Sequence, residues 1–331
     1  MRKNFSIFAM LFCLLATVFS VQAFMAGDPD AMYEYELDGE NAVIRRYVGW
    51  ERNCEIPQTV QGHTVVGIGA FAFEDKRCLR SVSMPDTVEF IGADAFANCD
   101  FLKQIHLSER LTSVGNGAFS DCLSLERIDF PASLKSLSNN LLKNRCSLRT
   151  VTCADDLTDL GSGTFFGCKN LEAFDFPSAL TRITLYTFKE CRSLETVILP
   201  DGITYIGDDA FAECTQLKTL HLPEQLKTIA PGAFYACRSL KEVEIPSGIE
   251  TISFGAFSGC KSALTLIGTD GAAREYAVGE GIAFRNAETG EVIPCPRPFL
   301  HDLLYGTLHW INTVYDFFGE TFALLFHAIV R

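Results

Sequence analysis

The stretch Ile206-Gly207-Asp208-Asp209-Ala210-Phe211-Ala212-Glu213-Cys214-Thr215-Gln216-Leu217-Lys218-Thr219-Leu220-His221-Leu222-Pro223 decides the fold, because the chain repeats it. Counterparts of its phenylalanine stand at Phe73, Phe96, Phe119, Phe165, Phe188, Phe234 and Phe257, on a period of 23 residues. Leu142 fills the one gap in that series. A fixed period of this length marks a solenoid, since each repeat is too small to bury a core alone and stacked repeats share one.

Working outward from the phenylalanine, every other position keeps register. The third residue after it is Cys99, Cys122, Cys168, Cys191, Cys214, Cys237 and Cys260. The sixth is leucine from Leu79 to Leu240. The ninth and eleventh are apolar, as in Val197 and Leu199 or Leu220 and Leu222, and the twelfth is often proline, as at Pro200 and Pro223. Phenylalanine and cysteine three apart predict one helical turn with both side chains inward. Alternation at the ninth and eleventh residues predicts a short half-buried strand, ended by the proline that cannot donate to the next ladder bond. A repeat therefore reads as strand, turn, extended return and one helical turn. Successive strands would stack in parallel at roughly 4.8 Å.

This pattern resembles the 23-residue leucine-rich repeat of the BspA-like bacterial surface proteins, over about residues 33 to 285. Ile56-Pro57 followed by Gly62-His63-Thr64-Val65 is similar to that family's opening repeat. Ile267-Gly268, Ala272 to Ala277 and Gly281-Ile282-Ala283-Phe284 are similar to its closing one. The fold class expected is an α/β repeat: a leucine-rich-repeat solenoid of about nine 23-residue repeats with parallel stacked short strands, plus a C-terminal helix. The resemblance implies a secreted or displayed protein that binds other proteins.

The domain reading follows. Residues 1–23 read as a secretory signal, with Arg2 and Lys3, an apolar run from Phe5 to Phe19 and the small-residue site Val21-Gln22-Ala23. Residues 24–62 form an N-terminal cap, 63–268 the solenoid, 269–291 a C-terminal cap, 292–298 a proline-rich linker and 299–331 an amphipathic apolar helix. The fourth repeat departs from the pattern with Leu142, Arg145, Ala154 and the run Ser138-Asn139-Asn140. An arginine has no place unpaired in such a core. A local bulge or shifted register is expected there, with Cys146 partly filling the gap.

Net charge is −13, and losing Arg2 and Lys3 with the leader makes it two units more negative. Such a balance opposes nucleic acid and anionic lipid and suits basic partners. Thirteen cysteines in a secreted chain suggest disulfides. Seven of them, however, share one repeat position, so their Cβ atoms point the same way and they read as reduced core thiols. Cys54 and Cys78 flank the N-terminal cap and are the one pair considered for a bridge.

The segment 299–331 carries polar residues on one seam, at Asp302, Gly306, His309, Thr313, Asp316, Glu320 and His327. The steps of four and three are helical, and so apolar a helix must be covered. Asp316 and Glu320 count against a membrane span, and the lack of lysine counts against an interfacial helix. Packing on the solenoid, self-association and membrane-surface contact remain open.

No catalytic motif, cofactor loop or metal cluster stands out. Gly67-Ile68-Gly69-Ala70-Phe71-Ala72 loosely matches a dinucleotide loop, but the same glycine recurs at Gly92, Gly115, Gly161 and Gly207, which makes it a repeat feature. His63, His106 and His221 lie apart, and the others fall in the tail. No enzyme activity and no cofactor are expected. The informative surface is the outward side of the strands, at the eighth and tenth residues of each repeat. The residues expected to contact an extracellular protein are Gln104, His106, Arg127, Asp129, Asp175, Thr196, His221, Glu242 and Glu244. A self-associating or envelope-bound scaffold held by the C-terminal helix is the alternative reading.

Overall fold

A computed structural model describes residues 29–144, 147–260 and 263–294. The leader expected over 1–23, the helix expected over 299–331, most of the linker, and Arg145 and Cys146 lie outside them. The chain divides into two compact units, Met1–Ala154 and Asp155–Arg331.

The N-terminal unit opens with an antiparallel pair, Tyr33–Asp38 and Asn41–Tyr47. The second of these pairs in parallel with His63–Ile68, and the sheet continues through Phe90–Ile91 and Ser113–Val114. A second parallel ladder runs Asn53–Glu55, Ser81–Ser83 and Gln104–His106, and a third pairs Arg127–Asp129 with Thr150–Thr152. The C-terminal unit repeats the scheme. Thr196–Ile198 pairs with Thr219–His221, and Glu242–Glu244 pairs with Thr265–Gly268. A second ladder there joins Arg182–Ile183, Tyr205–Ile206, Thr228–Ile229 and Thr251–Ile252. A regular coil thus carries two strands. The stretch read as an extended return contains the second, whose single inward isoleucine or valine was too short a pattern to announce a strand.

The phenylalanines form the spine. Phe73, Phe96 and Phe119 stack in the N-terminal unit, with ring centroids 4.7 and 5.5 Å apart. Phe165, Phe188, Phe211, Phe234 and Phe257 do so in the C-terminal unit at 5.1 to 5.4 Å. All are at most 1% exposed. The spacing follows the strand repeat, and nearly parallel rings at that separation must be offset, the arrangement that their quadrupoles favour. Tyr47 extends the N-terminal spine, stacked on Phe73 at 4.9 Å, and Tyr33 follows at 5.4 Å.

The turn around each phenylalanine is not a turn of α-helix. It is a tight hydrogen-bonded turn flanked by left-handed residues: Asp209 and Glu213 around Phe211, and Asp94 and Asn98 around Phe96. Its N–H groups bond to the next coil, as in Phe188 N–H to Ala210 O at 2.7 Å and Glu190 N–H to Ala212 O at 2.8 Å. The recurring glycine has a different cause. A Cβ on Gly92 would meet the Ala70 nitrogen at 2.4 Å, and one on Gly115 the Ala93 nitrogen at 2.2 Å. Neighbouring coils come too close there for any side chain.

The ladder cysteines do more than fill space. Cys214 Sγ donates to Phe188 O at 3.2 Å, and Cys237 Sγ to Phe211 O at 3.2 Å, so each thiol ties its coil to the carbonyl of the preceding phenylalanine. Cys99 and Cys122 do the same with Phe73 and Phe96. The described cysteines are free thiols. Cys54 and Cys78 are among them, which corrects the bridge considered for that pair: Cys54 is buried against the Tyr33 hydroxyl at 3.3 Å, while Cys78 is exposed. Burial pushes the Cys99 and Cys153 thiols up to about 12, and it raises Cys214 and Cys237 well above the ordinary value.

The fourth repeat keeps register with the third, so no shift occurs between them, and a bulge at Arg145 and Cys146 would fall outside the described residues. Phe119 N–H bonds Leu141 O at 3.0 Å, Asp121 N–H bonds Lys143 O at 2.9 Å, and Arg127 lies opposite Thr150. Leu141 and Leu142 are both fully buried.

At its C-terminal end, the helix Ala272–Glu280 replaces a coil. Tyr276 Oη accepts from Phe257 N–H at 2.9 Å, and Glu280 Oε1 accepts from Gly255 N–H at 3.1 Å. Two side-chain oxygens therefore stand where carbonyls of a further coil would be. The strand Ala283–Asn286 then extends the sheet, and Val292–Ile293 pairs with it antiparallel, taking up the first two residues read as linker. A buried ion pair lies among the described residues of this unit. Lys189 Nζ is 3.2 Å from Asp209 Oδ2 and 4.6 Å from the centre of the Tyr186 ring.

Candidate binding face

The full strands of the two faces anchor themselves through the central residue, with Val151 of Thr150–Thr152 only half-buried. Ile105, Ile128, Val197, Leu220 and Val243 are buried, while the residues on either side point out. Strand alternation thus frees the outward pair from any packing duty. All nine residues expected to contact a partner are exposed.

The N-terminal unit holds four of them. Ser81, Gln104 and Ser83, His106 are register partners. Arg127 closes on Asp129 of its own strand, with Nε at 3.1 and 2.8 Å from the two carboxylate oxygens. Burial alone would raise the Asp129 carboxyl, but hydrogen bonds from Arg127 and Thr152 and the charges of Arg127 and His106 outweigh it and hold it low. Arg127 is therefore already partnered rather than held out for a ligand. At the near end of this face, Met32, Tyr33, Glu51, Asn53, Glu55 and Pro57 line a shallow hollow of about 280 Å³.

The C-terminal unit holds the other five. Thr196 lies opposite Thr219, and Ile198 opposite His221. Glu242 lies opposite Thr265 and is 3.3 Å from Arg285, two strands away. The acidic end is thus partly neutralised by an arginine that sequence reasoning missed. Arg285 sits in the closing repeat, where the helix shortens the register step from 23 to 18 residues, so counting by the repeat does not reach it. Asp175 is exposed but lies on an irregular stretch rather than a strand, where Phe174 and Phe176 pack on Phe188. Ile198, which points to the opposite side of its strand from the buried Val197, is 61% exposed.

Among the described residues no group of three or more His, Cys, Asp or Glu side chains could hold a metal ion, and no helix is long and apolar enough to cross a membrane.

Six copies of the BspA type leucine rich repeat match residues 66–195 and 136–264, together more than half of the sequence. The chain belongs to the BspA type leucine rich repeat family. Among solved structures, this family member is similar to the leucine rich repeat protein of T. pallidum, at 30% identity and a TM-score of 0.54, over 56% of this chain and 88% of that one. It is also similar to a leucine-rich repeat protein from Bacteroides ovatus, at 21% identity and a TM-score of 0.44, over 77% and 88%. A leucine rich cell surface protein from Faecalibacterium prausnitzii matches at 24% identity and a TM-score of 0.37, over 71% and 86%. No curated protein matches the chain.

Proposed function

We propose that this BspA type repeat protein is a non-catalytic, secreted or surface-associated binding protein whose strand face recognises an extracellular protein. The observation that carries the reading is the alternation of the face strands: one buried anchor per strand and two exposed side chains with no packing role. A repetitive scaffold that frees a row of side chains in this way is suited to broad, shallow recognition of another macromolecule. The leader-like composition of residues 1–23 supports export, and the acidic net charge of −13 supports a basic partner over nucleic acid. Attachment or self-association through residues 299–331 would add avidity without changing the recognition face.

The test is steric. Thr196→Arg with Thr219→Arg places two large side chains on the face without touching the core, as both threonines are exposed. With a partner isolated on the full chain, surface plasmon resonance should show binding reduced at least about tenfold. Glu224→Lys, in an exposed turn outside the strand row, should leave binding near the parent value. Equal effects from the two variants would point to bulk charge, and an inert arginine pair would remove the strand face from consideration.

A further inference from the structure

Resting on the strand-face reading, we propose that the face of the C-terminal unit takes an extended basic segment of a partner protein, seating one apolar side chain on Ile198 and a lysine or arginine at Glu244. A single exposed isoleucine is ordinary on a protein surface. What distinguishes Ile198 is its row. The same outward position on other face strands is Ser83, His106, Asp129, Thr152, His221 and Glu244, all polar, and the apolar counterpart Ile267, beside Glu244, is half-buried. Val197, fully buried, already anchors the Ile198 strand, so packing gives no reason for an isoleucine to project 61% exposed.

The neighbours of Ile198 define what would cover it. His221 is its direct register partner. At roughly 4.8 Å per strand, Glu244 lies about 10 Å away on one side, and Asp175 about one coil away on the other. No ion pair engages Asp175 or Glu244 among the described residues, whereas Glu242 is occupied by Arg285 at 3.3 Å. Thr196 and Thr219 run beside this row with short side chains that leave a chain room to lie across it. The complement is an apolar group with cations on either side. An extended peptide offers that pattern, since alternate side chains share a face about 6.6–7 Å apart and lysine or arginine is long enough to span the remaining distance. An acidic segment would be repelled by Asp175 and Glu244. The N-terminal face lacks the pattern, because Arg127 and Asp129 satisfy each other.

The probe is a fluorescein-labelled 12-residue glycine–serine peptide with a central leucine and lysines two residues before, two after and four after it. Fluorescence anisotropy is read with the full chain at low and moderate salt. The parent peptide should bind, and binding should weaken with salt. Replacing its leucine by serine, or making Ile198→Ser in the protein, should each weaken binding about tenfold, and the two together should cost little more than either. Glu244→Gln should weaken binding and flatten the salt dependence, while Glu224→Gln should do neither. A parent peptide that binds no tighter than its leucine-to-serine form, or an inert Ile198→Ser, overturns the proposal. The two readings fail separately. If Thr196→Arg with Thr219→Arg blocks an isolated partner while Ile198→Ser and Glu244→Gln are silent, this inference is wrong and the strand face stands. If the arginine pair is silent as well, the strand face itself is wrong.

Discussion

Phe188→Ala tests the core most sharply. The ring is fully buried. It stacks on Phe165 at 5.1 Å and Phe211 at 5.2 Å, and it meets Phe174 and Phe176 at 5.2 and 5.4 Å. Truncating a phenylalanine in a packed interior costs about 3–5 kcal/mol, and the figure rises with the cavity that remains. Here the cavity cannot collapse easily, because the backbone around it is pinned by Phe188 N–H to Ala210 O at 2.7 Å and by Cys214 Sγ to Phe188 O at 3.2 Å. The upper half of the range is therefore expected, about 4–5 kcal/mol. Phe188→Leu, the residue that the chain itself uses at Leu142, keeps most of the volume and loses mainly its ring pairs, each worth about 0.5–1.5 kcal/mol. Urea unfolding followed by circular dichroism reads both losses. Because coils contact only their neighbours, faster amide exchange should appear first at Cys191 and Phe211. A loss below about 1 kcal/mol for Phe188→Ala, far under the large-to-small range, would refute the stacked spine.

Four further outcomes are expected. Thiol labelling in native buffer should modify Cys78 quickly and Cys99, Cys214 and Cys237 slowly. The ladder thiols also make stability depend on pH: Cys99 ionises near 9 when unfolded and about 12 when folded, so its contribution is complete below about 9 and is lost as pH rises toward 12. The slope is about 1.4 kcal/mol per pH unit for each such thiol, checked by urea midpoints at pH 8 and 10.5 with Cys99→Ala as the comparison. Tyr276→Phe and Glu280→Ala should each cost about 1–3 kcal/mol by leaving the Phe257 or Gly255 N–H unpaired, and should speed exchange of those two amides before any other in the unit. Asp209→Asn leaves Lys189 without its buried counter-charge and should cost about 3–5 kcal/mol in the same unfolding assay.

How much of this was legible in the sequence depends on whether a feature obeys the period. Phe211, Cys214, Leu217, Leu220 and Leu222 recur, so the inward face could be read directly. Tyr47 continues the same spine but lies 26 residues before Phe73, outside the register, and nothing marks it locally. Tyr276 and Glu280 act by placing side-chain oxygens where backbone carbonyls would be, a substitution that residue types alone do not disclose. The helical turn inferred from the Phe–Cys spacing failed for a related reason. A tight turn between two left-handed residues also brings residues three apart onto one side, and only the backbone angles at Asp209 and Glu213 tell the two apart. The outward residues of the face were identifiable because strand alternation is simple. Their electrostatic state was not. Arg127 turns back on Asp129 two residues along, and Arg285 reaches Glu242 from the aperiodic closing repeat. Glu190 and Glu213, in the turns outside the strand face, share Arg192 at 3.1 and 3.0 Å, a pairing that their residue types alone do not disclose.

The central claim, that the strand face carries recognition, is tested most directly by a hydrogen-exchange footprint of the full chain with and without an isolated protein partner. Protection confined to 196–198, 219–221 and 242–244, with the turns around Phe188 and Phe211 unchanged, is the predicted result. Protection of those turns, with the three strands unaffected, would contradict it.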